Sequence, residues 1–218
     1  LYLAKKIGIL PKGAKCINLF SDPRLYLIKN KIKFDFKKFR PGRYSFLKRK
    51  LQIEAINSLD GAICVGGYSA SLLKEVRKDI KIGIVLPLIE RKVVLDSISS
   101  KLNQNNILSV ISGPDYHYKG LDFLIGVFQE VSKLNPRSKL FVVGPGWDNF
   151  KKKIQNNKII FLGKKNDREI VDVMNNSSLY CHFGRGEALG IAVLEAMAKG
   201  LPCIVSNETG AKEYVRKI

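Results

Sequence analysis

From Asn106 onward the chain alternates short apolar runs with amphipathic stretches, and few folds accept that pattern. Residues 107–112, 140–143, 159–162, 179–183 and 203–205 are brief and apolar, as strands covered on both faces should be. Between them the spacing predicts helices over 119–134, 148–155, 167–174 and 190–199. In the first, Leu121, Leu124, Phe128 and Val131 recur at three- and four-residue steps and define an inner face, and Asn135-Pro136 stops it. In the last, Ile191, Leu194, Met197 and Ala198 do the same, Gly200 supplies a left-handed stop and Pro202 prevents continuation. Strand–helix alternation with short connections means a doubly wound parallel sheet, on which ligands bind beyond the carboxyl ends of the strands.

The front half is similar but less complete. Residues 16–20, 62–65 and 80–86 read as strands, and 47–57 and 69–77 as helices, the second with Ser69 and Ser71 as candidate caps. Residues 21–45 show no period and read as a long basic loop. The Ser/Asn content before Asn106 marks a linker, with a short helix over 93–102. The expected division is a first α/β domain over 1–95, a linker over 96–105 and a second α/β domain over 106–218. The chain of 218 residues does not open on Met, and its last helix begins only at Ala211. Both ends therefore read as truncated, since two full α/β domains need roughly 300 residues.

Two carboxylates stand out. Gly184-Arg185-Gly186 reads as a turn, so Glu187 lies in the loop feeding the last helix, at its positive end, and Glu195 lies more than a turn inside. Such a frame suits a ligand carrying both phosphate and hydroxyls. A dipole complement and a solvated helix residue fit the spacing equally well. Lys119 follows a glycine-containing loop and opens a helix, where an ammonium and free N–H groups would neutralise a diphosphate. An ordinary surface lysine is the competing account in a chain with 38 Lys+Arg. His117 reads as a solvated loop residue, and His182, inside a strand, as core rather than catalytic.

The run Glu195-Ala-Met-Ala-Lys-Gly-Leu-Pro202, with Glu187 seven intervening residues before it, resembles the signature of retaining glycosyltransferases of family 4, which have the GT-B fold. The resemblance continues in Tyr118-Lys-Gly-Leu-Asp-Phe-Leu-Ile125, Val142-Val-Gly-Pro-Gly146, Ile159-Ile-Phe-Leu-Gly163 and Gly210-Ala-Lys-Glu213. Residues 1–105 match more loosely, through Ser58-Leu-Asp-Gly-Ala-Ile-Cys-Val-Gly-Gly-Tyr-Ser69. The resemblance implies an α/β protein of GT-B type, with doubly wound parallel sheets in two Rossmann-like domains, both incomplete here. The first would be the acceptor side and the second the nucleotide-sugar side. It implies transfer of a sugar from a nucleoside-diphosphate sugar to a sugar or lipid-linked acceptor, with retained anomeric configuration. By the same resemblance Lys119 contacts the donor phosphates and Glu187 hydrogen-bonds the donor sugar, orienting it for front-face attack by the acceptor. Glu195 takes the ribose hydroxyls, and the N–H groups of Leu189 and Gly190 meet the phosphate. Gly113, Gly144 and Gly146 let the backbone approach the nucleotide, and Lys164 flanks the base. Glu213 matches the acid of the last motif, with charge complementation of a helix N-terminus as an equal account. Family members usually carry an Arg five residues before the Lys; here that place is Pro114, so half of the cationic clamp is missing, with His117 as the alternative contributor. Some families place a histidine in the first domain, whereas both histidines here lie in the second half.

No Asp-x-Asp pair occurs, so neither a metal nor a cofactor beyond the sugar donor is expected. Cys16, Cys64, Cys181 and Cys203 form no Cys-x-x-Cys pair, which removes zinc and redox-motif readings, and buried free thiols fit a reducing cytoplasm. The net charge of +19 is uneven: residues 1–105 hold 22 Lys+Arg against 8 acids, and residues 29–50 hold ten against one. That segment also carries Phe34, Phe36, Phe39, Tyr44 and Phe46, so it could meet an anionic membrane surface from the cytoplasmic side, or be core. Nucleic acid is the competing partner on charge, but no nucleic-acid fold signature accompanies it. An inactive piece of the glycosyltransferase fold is the third reading.

Overall fold

The computed structural model describes Lys15 and residues 17–20, 46–87, 105–111 and 118–215. The chain divides into two compact units, Leu1–Pro87 and Leu88–Ile218. Several expectations lie outside the described residues: most of the basic segment 29–50, the expected linker except Asn105, and Gly113, Pro114 and His117. Among the described residues no helix is long and apolar enough to cross a membrane.

The first unit contains β1 (Ile17–Phe20), α1 (Phe46–Asn57), β2 (Gly61–Cys64), α2 (Gly67–Val76) and β3 (Ile82–Ile84). The three strands pair in parallel in the order β1-β2-β3. Ile56, Leu59, Leu72 and Leu73 from the helices and their connections pack with Ala62 and Cys64 into one core. Arg77 Nη1 donates to the carbonyls of Ile56, Asn57 and Leu59, so a cation closes the C-terminal end of α1. The expected caps of α2 are not caps. The helix begins two residues earlier, with Gly66 as its N-cap, and Ser69 and Ser71 instead donate back to the Gly66 and Tyr68 carbonyls.

The second unit runs β4 (Asn106–Val110), α3 (Leu121–Leu134), β5 (Lys139–Val143), α4 (Asp148–Lys151), β6 (Ile159–Gly163), α5 (Asp167–Asn175), β7 (Leu179–His182), α6 (Ile191–Ala198) and β8 (Cys203–Val205), then a 3₁₀ turn at Gly210–Glu213. All five strands are parallel, in the order β6-β5-β4-β7-β8. The chain thus winds outward from β4 to β6, then returns to β7 on the other side of β4. That reversal puts helices on both faces and gives two cores. One holds Leu121, Leu124, Phe128 and Trp147; the other holds Met174, Val193 and Ala196. The β4–β7 junction is the topological switch point, where doubly wound sheets bind ligands.

Local chemistry explains most boundaries, and four expectations change. Asn166 and Glu169 form a reciprocal capping box at α5. The helix after β4 starts at Leu121 rather than Lys119, because Gly120 adopts a left-handed φ of 69° as its N-cap and leaves Lys119 in the preceding turn. The helix expected over 148–155 is a single turn, ending at Lys151. The segment from Ala211 tightens into a 3₁₀ turn, so among the described residues Glu213 complements no α-helix. On α6 the buried residues are Val193 and Ala196, while Ile191 is exposed and Leu194 and Met197 are half-buried. A helix apolar on nearly every side offers no unique inner face, and the sheet selected a different one from that expected. Cys64 and Cys181 are buried and Cys203 half-buried, all free. Burial pushes the Cys181 and Cys203 thiols up to about 12, so both stay protonated and unreactive.

Candidate active site

The loop from Phe183 to Gly190 leaves β7 at the switch point and is clamped on two sides. On one side the turn before α3 holds it: Arg185 N–H donates to Tyr118 O at 2.8 Å, and Tyr118 Oη donates to Gly186 O at 2.9 Å. Arg185 Nη1 also pairs with Asp122 Oδ1 at 2.8 Å, in the first turn of α3. On the other side Gly186 N–H donates to Glu208 O, Gly210 N–H to Glu187 O and Ala211 N–H to Leu189 O. Gly210 permits this approach, since a Cβ there would stand 2.1 Å from the Ala188 carbonyl oxygen. Ser206 Oγ adds a bond to Gly184 O, and Thr209, fully buried, pairs with Glu187 in an isolated bridge.

This clamp brings Lys119 and Glu187 together. Lys119 Nζ donates to Glu187 Oε2 at 2.8 Å, with both side chains 22% exposed. Lys119 also lies 5.6 Å from the centre of the Tyr118 ring. His182, the last residue of β7, is buried as expected of a core residue, yet its Nε2 stands 3.7 Å from the same Glu187 oxygen. Burial alone would raise the Glu187 carboxyl, but the neighbouring His182 imidazole and the Lys119 ammonium outweigh it and hold the group down to about 2. Glu187 is therefore ionised at any ordinary pH and can only accept hydrogen bonds. Glu195 lies inside α6, and its charge and that of Glu187 both add to the burial that raises the Tyr180 phenol between β4 and α6.

The other expected residues are more dispersed. Leu189 and Gly190 are buried at the head of α6, and their N–H groups have no hydrogen-bond partner among the described residues. Gly190 caps that helix with a left-handed φ of 84°. Gly144 and Gly146 follow β5 with φ of 136° and 89°; Gly144 is buried and its N–H donates to Gly163 O, whereas Gly146 is exposed. Lys164 is exposed beyond β6. Sequence reading missed His182 as a neighbour of Glu187, the Arg185–Asp122 latch and the buttress at 206–211. The position of His182 at the carboxyl end of a strand, five residues before Glu187, was the available signal. Among the described residues no cluster of His, Cys, Asp or Glu could hold a metal ion.

A depressed carboxyl has a stability consequence. Because the folded value lies below the ordinary 4.5, the contribution of Glu187 is fully present above pH about 4.5 and is lost as the pH falls toward 2. Urea unfolding followed by circular dichroism should therefore show Glu187→Gln losing less stability than the parent across that window. Equal slopes would mean that the pair does not perturb this carboxyl.

A sequence model for the family described as glycosyl transferases group 1 matches residues 95–217, more than half of the chain and all of the elements that build this site. The chain belongs to glycosyl transferases group 1. An uncharacterized glycosyltransferase of Haemophilus influenzae is 35% identical over 123 residues, covering 53% of this chain and 34% of the relative. This group 1 chain thus spans about a third of that curated relative. Among solved structures, the sucrose-phosphate synthase of Thermosynechococcus elongatus superposes with a TM-score of 0.75 at 15% identity, over 99% of this chain and 55% of the other. WaaG, a glycosyltransferase involved in lipopolysaccharide biosynthesis, gives 0.68 at 17% identity, over 98% of this chain and 64% of its own. The pneumococcal O-GlcNAc transferase GtfA, solved with UDP and GlcNAc, gives 0.59 at 18% identity, over 77% of this chain and 34% of its own. At such identities these likenesses establish the fold, α/β with parallel sheets of GT-B type, as expected.

Proposed function

We propose that the chain carries the donor-binding part of a family 4 glycosyltransferase, which moves a hexose from a nucleoside-diphosphate sugar to an acceptor with retention of configuration. The observation that carries this reading is the ion pair of Lys119 and Glu187 at the switch point, beside the unpartnered N–H groups that head α6. Departure of a nucleoside diphosphate concentrates negative charge on its oxygens. An ammonium and two free N–H groups stabilise that charge more as it grows, which is what lowers a barrier. Lys119 has three donors and Glu187 engages one, leaving two for phosphate. Glu187 accepts from the sugar hydroxyls. A carboxylate this weakly basic, tied to a cation, is a poor nucleophile, which supports orientation of the sugar over a covalent glycosyl intermediate. Glu195 would take the ribose. GtfA, solved with UDP and GlcNAc, supports a donor of this chemical class.

Calorimetry of the full chain against UDP, GDP and ADP tests the donor site, and incubation with the matching nucleotide sugars tests transfer. Proton NMR of the product reads the anomer; an inverted product, or no nucleotide binding at all, refutes the reading. In the same titration Glu195→Ala should weaken nucleotide binding by about 1.5–3 kcal/mol, roughly 10- to 150-fold, the value of a charged hydrogen bond. Unchanged affinity would make Glu195 a solvated helix residue. The charge of residues 1–50 would favour nucleic acid, but the family match falls entirely on the other part of the chain.

A further inference from the structure

His182 is 3% exposed, and among the described residues neither ring nitrogen has a hydrogen-bond partner. Buried polar atoms are normally satisfied, so an imidazole with both nitrogens unpaired calls for a use in another state of the protein. The only acid within ion-pair distance of its Nε2 among the described residues is Glu187, at 3.7 Å, about 0.8 Å longer than a hydrogen bond. The ring itself is fixed. It stacks on Tyr180 at 6.4 Å and 7°, and its backbone carbonyl accepts from Ser206 N–H across the sheet. The space between the two groups is kept by Gly184, where a Cβ would lie 3.0 Å from His182 Nε2 and 3.1 Å from Glu187 Cβ. One carboxylate oxygen therefore faces two donors, of which Lys119 at 2.8 Å is engaged and His182 is not.

Resting on the glycosyl-transfer reading above, we propose that His182 is a positioning residue for Glu187. When a donor diphosphate draws the Lys119 ammonium toward itself, the His182 Nε2–H closes on Glu187 Oε2 and replaces it. A diphosphate carries more charge than a carboxylate and competes directly for the lysine. Without a second donor the Glu187 side chain would lose its anchor at the moment it must orient the sugar. A small rotation of Glu187 suffices, because the backbone on both sides of it is pinned.

The test compares His182→Leu, which removes the donor, with His182→Gln, which restores an N–H near the Nε2 position. His182→Leu should lower kcat about tenfold with the donor KM within about threefold, and His182→Gln should recover most of the loss. Equal loss in both variants assigns His182 to packing alone, and no loss in either removes it from the site; each overturns the proposal. In the unmodified chain, the ¹⁵N resonance of His182 Nε2 should move on addition of UDP, GDP or ADP, and should not move in Glu187→Ala. A resonance indifferent to all three nucleotides in the parent also overturns it, and needs no variant to fold. Failure of the parent to transfer sugar from any donor, with normal nucleotide binding and the expected shift, would instead count against glycosyl transfer and leave the Glu187–His182 contact supported.

Discussion

Glu187→Ala should lower the rate of sugar transfer about 100-fold or more while nucleotide affinity stays within about threefold. The asymmetry follows from where the carboxylate sits. Glu187 pairs with Lys119 and faces His182 at the loop after β7, whereas Glu195 lies more than a turn inside α6. An acceptor that fixes the sugar as the anomeric carbon gains positive charge acts in the transition state, so its loss appears in kcat. Removing it also frees Lys119 for the diphosphate, which offsets any loss of nucleotide binding. Steady-state kinetics on parent and variant, with calorimetry for the nucleotide, read both quantities. A fall in affinity equal to the fall in rate would assign Glu187 to ground-state binding.

The second large effect is structural. Gly120→Ala should destabilise the second unit by about 3 kcal/mol or more, because two penalties coincide. Gly120 adopts φ of 69°, which side chains disfavour by about 1–2 kcal/mol. A Cβ there would also stand 1.8 Å from the Phe183 carbonyl oxygen, a backbone atom that cannot step aside. The turn before α3 and the loop after β7 would have to separate, and with them Lys119 from Glu187. Urea unfolding and nucleotide titration of the variant measure the two consequences. A variant as stable as the parent would mean that these backbones do not meet so closely.

Much of the second unit was legible because its signals are local. Continuous apolar runs named each of β4 to β8 within a residue or two, and the 121-124-128 spacing named the inner face of α3. Where pattern was ambiguous, packing decided. α6 is apolar around most of its circumference, so periodicity chose Ile191 and Leu194 while the sheet buried Val193 and Ala196. Ser69 and Ser71 had capping chemistry but sat at the third and fifth positions of α2, inside the helix, where they bond backward to carbonyls instead.

The candidate site divides in the same way. Glu187 and Lys119 could be named from sequence, since each follows a strand and matches a family motif. Their 2.8 Å contact could not, because they stand 68 positions apart and meet only through the order β6-β5-β4-β7-β8. His182 was read correctly as core, but its proximity to Glu187 depends on the loop being clamped between Tyr118, Asp122 and the 206–211 segment. Strand period, helix caps and glycine turns are set by residues a few positions away, and the sequence alone determines them. Which strands become neighbours, and hence which distant side chains share a charge, is set by burial of both sheet faces at once, and only the tertiary structure decides it.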